Sequence, residues 1–520
     1  MPPTPIERLR RGRRHGTGAV SAFGLELMRT ERLLAQDTAR DLGNMRASAR
    51  TLALVLVVSA LMGAAAWAFL TALDLVTAAR EANRWMFALL PAVSAATAWV
   101  YRNHGLRAAR GNNLVIDSSV TGTPIRARMA ALTFICSVAT HAAGGSAGRE
   151  GTAVQIGGTI ASNAAGIFHL GGRERQDLML AGISSAFGGV FGTPLAGAFF
   201  GMEMCTIGKL NYSAGIYCLV ASFTGDAVAR ALGCAHAFQT IGSVPPMTPH
   251  TVAAALAAAV AFGLTARLFS ASIRAVRRFW ANRFTNYLAA AVAGSLVLLG
   301  VYVAFDLYPY GGLAEWLVEA GFRGETTPLD AVAKLVCTAL TLGAGFQGGE
   351  VTPLFGIGAA LGGWLAGPLG VDAGLMAALG MTGVFGAALN VPVTTIMLAV
   401  DMFGGQAAGY FVIVAFVSYL VAGHRGVYPA QRIVTPKRRS LADEQGETVE
   451  EVIAHRREDA GAAEPGGNAD ADGPSRTGAG SAPDADADGS PRSGDTSAPD
   501  ADDMQGRDAA AAQTGDGARP

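Results

Sequence analysis

Long runs of apolar, nearly uncharged residues constrain this chain more than any other feature of its sequence. A helix needs about 17 to 25 such residues to cross the hydrocarbon core of a membrane. Hydrophobic residues make up 51% of the 520 residues and charged residues only 15%, so we predict an all-α membrane protein. Runs close to the required length occupy residues 51–73, 85–100, 212–229, 250–265, 287–305 and 408–423.

Two further apolar stretches, residues 178–204 and 352–402, are interrupted repeatedly by Gly and Pro. Irregular backbone at membrane depth persists only where it is buried in protein or lines a wet cavity. We therefore predict short or re-entrant helices in these stretches. The 67 glycines of the chain also permit the close helix packing that lipid-embedded bundles favour.

Composition divides the chain into three regions. Residues 1–48 form a basic segment, residues 49–433 form the membrane body, and residues 440–520 are rich in Asp, Ala, Gly, Pro and Ser. The last region cannot bury enough apolar surface to offset the entropy lost on ordering, so we predict a disordered acidic tail. The basic runs RLRRGRRH and PKRR flank the body. By the positive-inside rule they place both termini in the cytoplasm.

The membrane body contains an internal repeat with an offset of about 200 residues. GREGT matches GGEVT, which pairs Glu150 with Glu350, and GGVFGTPLAG matches TGVFGAALNVP further on. The two halves cover residues 49–235 and 250–433 approximately. Matched segments broken by Gly and Pro indicate a transporter built of repeats, with its site where the broken helices meet.

Three segments look like helices that begin inside the membrane: GREGTAVQIGG, GGEVTPLFGIG and GNNLVIDSS. The start of such a helix presents unpaired backbone N–H groups and the positive end of its dipole, which together attract an anion. Glu150 lies at one of these starts, and an intramembrane carboxylate is treated by default as functional. A protonatable acid that competes with an anion for one position would link an anion path to a proton path.

Several functional classes are disfavoured. The sequence contains no HExxH, no GxxxxGK[ST] and no nucleophile with a nearby base, so an intramembrane enzyme that uses Glu150 and Glu350 as an acid/base pair is improbable. Its five cysteines show no CxxC or metal-ligand spacing. We expect no enzymatic activity, no cofactor, no metal and no nucleic-acid partner.

The motifs GGSAGREGTAVQIGG, GVFG, PLAG, GGEVTPLFGIG and GHRGVYPAQ together resemble the CLC family of anion channels and proton-coupled exchangers. The resemblance covers residues 50–433 approximately. Three motifs differ from the pattern of chloride members: GNN stands in place of GSGIP, GREGT has Thr152 where a proline follows GREG, and GEVTP stands in place of GxFxP. Together they resemble the fluoride-exporting branch. This resemblance implies a CLC-type bundle of many tilted, partly broken helices in two inverted repeats. It also implies a homodimer in the cell (inner) membrane with a pore in each subunit.

The resemblance also implies roles for individual residues. Glu150 matches the gating glutamate, which occupies the anion path as a carboxylate and swings away as a neutral acid; Glu350 is expected to assist it in proton transfer. Met204 stands where chloride exchangers have an internal glutamate, which argues against their proton route. The implied anion-binding positions are Asn112, Asn113, Gly148, Gly151, Val351, Thr352 and Tyr428.

Some of these residues have structural alternatives. Glu350 could pair with Lys334 instead. Asn112 and Asn113 could merely cap a helix, and Tyr428 could belong to an interfacial aromatic belt.

Other polar residues of the body are expected to be structural. Arg149 is adjacent to Glu150, and neighbours at a helix start do not face each other. Glu203 and Asp401 are repeat mates near helix ends, which suits caps or interfacial positions. His141 is expected to be a hydrogen-bonded packing residue.

Fluoride is smaller, more tightly hydrated and a stronger acceptor than chloride, so its path needs more donors. An Asn amide offers two N–H donors where a serine offers one O–H. The predicted function is a fluoride/proton antiporter, with fluoride or chloride, protons, the lipid bilayer and a second copy of the chain as partners. The alternative is a chloride or other anion channel, or a chloride/proton exchanger, of the same fold.

Overall fold

The computed structural model describes residues 48–105, 110–236 and 238–462. Most of the predicted basic segment and the predicted tail beyond residue 462 lie outside these ranges. The α-helices are α1 Ser48–Ala82, α2 Leu90–His104, α3 Asn112–Thr121, α4 Arg128–Ala142, α5 Glu150–Ile167, α6 Gly172–Phe191, α7 Pro194–Glu203, α8 Gly215–Ala231, α9 Pro249–Arg283, α10 Tyr287–Phe305, α11 Glu315–Phe322, α12 Pro328–Gly343, α13 Val351–Leu369, α14 Ala373–Leu389, α15 Pro392–Phe403, α16 Ala408–Ala422 and α17 Val449–Ala462.

Short 3-10 helices and two short strands complete the fold. The 3-10 helices are Arg84–Leu89, Tyr212–Ala214, Tyr308–Tyr310, Gly405–Ala407 and Arg439–Glu444, and the strands are β1 Thr206–Ile207 and β2 Arg432–Ile433. The strands pair in parallel. The prediction of an all-α protein is confirmed, with this small sheet as the one departure in the described ranges.

The repeat seen in the sequence is a repeat of helices. The order α1 to α8 recurs as α9 to α16, and α1 and α9 are each 35 residues long. Within the described residues, four helical segments are long and apolar enough to cross a membrane: Ser48–Ala82, Pro249–Arg283, Tyr287–Phe305 and Gly405–Ala422. The other two predicted spans, 85–100 and 212–229, contain shorter helices, α2 with 15 residues and α8 with 17.

The two broken stretches divide at glycine or asparagine in the left-handed conformation, followed by proline. Gly192 ends α6 with a φ of 70°, and Asn390 ends α14 with a φ of 63°. Pro194 and Pro392 then begin α7 and α15, because proline suits the first turn of a helix, where its missing N–H is not needed. The predicted breaks are confirmed, and α7 and α15 are short, with 10 and 12 residues, whereas α6 and α13 are longer than expected, with 20 and 19 residues.

Repeat mates cap each other's helices. Glu203, at the end of α7, accepts the backbone N–H groups of Val393 at 3.1 Å and Thr394 at 2.8 Å, and the hydroxyl of Thr394 at 2.7 Å. Asp401 in α15 accepts the N–H of Ala196 in α7 at 2.9 Å. The first N–H groups of a helix have no partner within it, so each carboxylate satisfies donors of the other repeat. Of the two expectations for these acids, caps or interfacial positions, the contacts show caps.

The chain after α16 is ordered further than the sequence predicted. The disordered tail was expected from residue 440, whereas the 3-10 helix and α17 extend the described structure to residue 462. Apolar side chains of this segment, Ile433, Val449 and Val452, are buried against Ile207 and Tyr419. The sequence between the span and the Asp-rich repeat therefore carries enough apolar surface to pack on the membrane body.

Candidate functional site

The two repeats meet at a pair of equivalent glycines. Gly148 donates its N–H to the carbonyl of Gly349 at 2.7 Å, and Gly349 donates to the carbonyl of Gly148 at 2.7 Å. This antiparallel bridge places the first turns of α5 and α13 side by side. A methyl group on Gly349 would lie 2.6 Å from the nitrogen of Gly151, so the close approach of the two backbones requires glycine.

Glu150 lies beside this bridge and is 1% exposed. Its Oε2 accepts the backbone N–H of Arg149 at 3.1 Å and that of Thr352 at 3.1 Å, and its Oε1 accepts the Thr352 hydroxyl. Thr352 belongs to the first turn of α13, so the acid of one repeat lies at the start of the equivalent helix of the other. Such a helix start favours negative charge; the carboxylate therefore occupies a position that suits an anion.

Glu350 immediately precedes α13 and is partly buried. Its Oε2 atom is buried and accepts no hydrogen bond from the described residues. An ionised carboxylate is costly to bury without partners, whereas the neutral acid is a hydrogen-bond donor. The alternative pairing with Lys334 is wrong, because the Lys334 ammonium donates to the carbonyls of Tyr310 at 3.1 Å and Gly312 at 2.8 Å.

The two asparagines join α3 to the chain after α16. Asn112 Nδ2 donates to the Tyr428 hydroxyl at 3.2 Å, and Asn113 Oδ1 accepts the N–H of Ala430 at 3.1 Å. The N-cap residue of α3 is Gly111, so the alternative of two helix-capping asparagines is wrong. Tyr428 is 1% exposed, which also contradicts the interfacial-belt alternative.

The predicted site residues converge around two glycines. A methyl group on Gly151 would lie 2.9 Å from Asn112 Nδ2 and 3.4 Å from Glu350 Oε2. A methyl group on Gly148 would lie 2.9 Å from Glu150 Oε2. The bare glycines thus leave room beside both acids. Val351, at 1% exposure, begins α13, where backbone N–H groups lack partners inside the helix.

Arg149 contacts Glu150, contrary to expectation. Its Nε lies 3.6 Å from Glu150 Oε1, and its Nη1 lies 3.3 Å from Glu315 Oε1. The rule that adjacent residues diverge applies within a helix, whereas the Glu150 side chain folds back over the helix start and so meets Arg149. Glu315 also lines a cavity of about 510 Å³ together with Asp74 and Arg80. Arg149 therefore lies between the buried acid and an open cavity.

A row of buried hydroxyl groups in α4 was not identified from the sequence. The Thr152 hydroxyl donates to Ser137 Oγ at 3.0 Å, and the Thr133 hydroxyl donates to Gln155 Oε1 at 2.9 Å. Thr133, Ser137 and Thr140 are each 0% exposed. Their spacing of four and three residues puts them on one face of an otherwise apolar helix, and that polar stripe is the signal by which they could have been found.

Two other expectations concern structural residues. The ring nitrogens of His141 lie 2.8 Å from the carbonyl oxygen of Ser137 and 3.1 Å from that of Ala147, so its role as a hydrogen-bonded packing residue is confirmed. Met204 is 0% exposed and brings no acid to its position. The Gln431 side-chain amide donates to the carbonyl of Met204 and to that of Leu389, each at 2.8 Å. The sequence analysis did not identify Gln431.

Comparison with known proteins gives three levels of similarity. The family described as "Voltage gated chloride channel" matches residues 92–423. A "Chloride/fluoride channel protein" of Pseudomonas syringae pv. tomato is 40% identical over 392 residues, which are 74% of this chain and 87% of that protein. The "H(+)/Cl(-) exchange transporter ClcA" of Vibrio cholerae serotype O1 is 26% identical over 271 residues, 49% of this chain and 58% of that protein.

Solved structures agree with the predicted architecture. A "CLC-type fluoride/proton antiporter" superimposes with a TM-score of 0.72 at 32% identity, covering 74% of this chain and 98% of that chain. A slow cyanobacterial Cl⁻/H⁺ antiporter superimposes with a TM-score of 0.63 at 17% identity, covering 78% of this chain and 98% of that chain. At this level of identity the match supports the fold alone. The predicted bundle of broken helices in two repeats is confirmed.

Proposed function

The chain belongs to the voltage gated chloride channel family, and we propose that it is an antiporter that exports fluoride from the cell in exchange for protons. The observation that carries the proposal is the position of Glu150. Its carboxylate accepts a backbone N–H and a hydroxyl from the first turn of α13, where an anion would otherwise bind. Protonation removes the negative charge, weakens these bonds and frees the position for fluoride.

Glu350 and Asn112 are proposed as the partners of Glu150 in transport. A free amide hydrogen and a neutral carboxyl group both donate hydrogen bonds, and fluoride is a strong acceptor. The Glu350 carboxyl oxygen without a partner and the Asn112 amide both border the space above Gly151, where a methyl group would lie 3.4 Å from the first and 2.9 Å from the second. Gly148 and Gly151 are proposed to leave room for the anion beside the two acids. Val351, Thr352, Asn113 and Tyr428 are proposed to complete the binding region with backbone N–H groups, hydroxyl groups and an amide.

The choice of fluoride over chloride is supported by the similarity to the fluoride/proton antiporter and to the chloride/fluoride channel protein. The side chains agree with it, since an asparagine and two glutamates meet where a small, strongly accepting ion would need many donors. A chloride channel or chloride/proton exchanger is the alternative, supported by the similarity to the chloride exchangers.

The deciding experiment measures ion release from proteoliposomes. Vesicles loaded with fluoride or chloride are diluted into anion-free buffer, with and without a protonophore, while an ion-selective electrode and a pH dye follow both ions. We expect rapid fluoride release, slow chloride release and proton uptake that accompanies fluoride. The substitution Glu150→Gln should abolish the proton movement, because the amide cannot take up a proton in this pH range.

Glu319→Gln is the matched control, since Glu319 of α11 is exposed and pairs with Arg323, the residue that follows the helix. It should leave both ion movements unchanged. Wild-type vesicles that retain fluoride would refute the proposal, and so would a Glu150→Gln variant that still moves protons on a fluoride gradient. Release of chloride at the fluoride rate would favour the alternative. A reversal potential that is insensitive to pH would indicate a channel.

We further propose a homodimer in the cell (inner) membrane with both termini in the cytoplasm. Arg274 Nη1 donates to the carbonyl of Gly426 at 2.8 Å, so the end of α9 and the chain after α16 lie on the same side of the protein. The basic residues of both segments therefore support one positively charged side. Protease protection of tags placed at each end, in right-side-out and inverted vesicles, tests this orientation. Cross-linking in native membranes tests the dimer.

A further inference from the structure

The end of α9 borders a cleft with an apolar half and a polar half. The apolar half has a volume of about 590 Å³ and lies between α9, α10 and α12, with Val276, Val297 and Leu340 in its walls. The polar half has a volume of about 410 Å³ and extends toward the loop that follows α12. Trp280 and Phe284 line both halves, so the two volumes adjoin at one aromatic wall.

Each half carries an arginine without an acidic partner. Arg283 lines the apolar half and Arg277 lines the polar half. Both are exposed, and neither forms an ion pair with any residue of the described ranges. The segment RLFSASIRAVRRFWANR at the end of α9 contains five arginines and no acid. The cleft therefore has an uncompensated positive charge next to an apolar slot.

We propose that this cleft binds an anionic phospholipid. An acyl chain would lie in the apolar half, and the phosphate would contact Arg277 and Arg283. Basic pockets between membrane helices on the cytoplasmic side bind such headgroups, and aromatic residues such as Trp280 are typical of the headgroup level. An amphiphile matches the pairing of the two halves, whereas a free anion would use the polar half alone.

The polar half also borders the loop that leads to the transport site. Its wall includes Gly345, Phe346 and Gln347, and two further residues, Gly348 and Gly349, join this loop to Glu350. Gly345 has a φ of +96°, and a methyl group on it would lie 3.0 Å from the Tyr287 hydroxyl. A bound headgroup therefore contacts the loop that holds the bridge between the repeats. Its effect on transport rests on the proposed function, but its binding does not.

Native mass spectrometry of the full chain in neutral detergent tests the binding. Phosphatidylglycerol and phosphatidylcholine are titrated in parallel. We expect the wild-type protein to bind phosphatidylglycerol more tightly. The double substitution Arg277→Gln/Arg283→Gln should weaken that binding about 30-fold. The control Arg102→Gln/Arg128→Gln removes two exposed arginines that line neither half and should leave it unchanged.

A second variant separates a lipid from a soluble anion. Val297→Trp fills the apolar half at a position that is 45% exposed and keeps both arginines. It should weaken phosphatidylglycerol binding but not the weak binding of inorganic phosphate. The proposal is overturned if the arginine pair and its control bind the lipid equally, or if Val297→Trp has no effect. A wild-type protein that binds the lipid but transports no fluoride would refute only the proposed function.

Discussion

The reciprocal caps between the repeats give a sharp prediction about stability. Glu203→Ala removes one acceptor group from three donors, the N–H groups of Val393 and Thr394 and the Thr394 hydroxyl. Asp401→Ala removes an acceptor from the N–H of Ala196. The two acids are repeat mates, yet the first serves more donors and is more deeply buried, at 4% exposure. The same substitution should therefore cost different amounts of free energy at the two positions.

The magnitudes follow from the donors left without acceptors. A buried donor without a partner costs about 1–3 kcal/mol, so Glu203→Ala should lower the free energy of unfolding by about 3–6 kcal/mol. Asp401→Ala should lower it by about 1–2 kcal/mol, because its donor is only partly buried. Glu203→Gln keeps one acceptor oxygen, so its loss in free energy of unfolding should lie between those of Glu203→Ala and Asp401→Ala.

Unfolding in detergent micelles, followed by circular dichroism over a denaturant series, measures these differences. The variants that fold should keep fluoride release near the wild-type rate, since neither acid belongs to the proposed ion path. Equal losses for Glu203→Ala and Asp401→Ala would contradict the counting of donors. A stable Glu203→Ala protein that has lost only its proton movement would instead assign Glu203 to transport.

Three further outcomes are expected. Tyr428→Phe deprives the Asn112 amide of its acceptor and should slow fluoride release about 2- to 10-fold without loss of proton coupling; an unchanged rate in the vesicle assay would dissociate this contact from transport. Gly349→Ala puts a methyl group 2.6 Å from a backbone nitrogen and should lower the yield of folded protein, whereas Gly356→Ala, whose nearest contact is 3.4 Å away, should not. His424 follows α16, and its Nδ1 lies 2.5 Å from Glu444 Oε2, while the same carboxylate pairs with Arg456 of α17. Burial lowers the pKa of His424 more than the neighbouring Glu444 raises it, so the fold favours the neutral ring. The stabilisation that the neutral ring contributes is complete above the unfolded pKa of about 6.5 and is lost as the pH falls. Amide exchange in α17, corrected for intrinsic rates, should therefore accelerate below about pH 6 in the wild type but not in His424→Gln.

The repeat made most of the architecture predictable. Pairing Glu150 with Glu350 and Glu203 with Asp401 predicted which helix starts and ends correspond, and the helices follow that correspondence. The sequence could not predict the hydrogen-bond partner of each residue in a repeat pair, because that partner depends on tertiary packing. Thr352 donates to Glu150, whereas its mate Thr152 donates to a serine of α4.

Two errors have physical causes. The contact of Arg149 was missed because a rule for helix interiors was applied to a residue that precedes α5. The end of the folded region was placed too early because the polar composition of residues 440–520 was treated as uniform, although the apolar residues Val449 and Val452 lie near its start. Burial of Val449 and Val452 outweighs the polar composition around them. Buried polar links such as that between Gln431 and Met204 carry no local pattern and appear only with the tertiary structure.

The contact between Asn112 and Tyr428 has a consequence for biosynthesis. The two residues are 316 positions apart, and the asparagine leaves the ribosome long before the tyrosine that accepts its amide. An unfinished or truncated chain that ends before residue 428 would lack the hydroxyl that accepts the Asn112 amide. Quality control that removes such fragments would thus act on chains in which α3 still lacks its contact with the segment after α16.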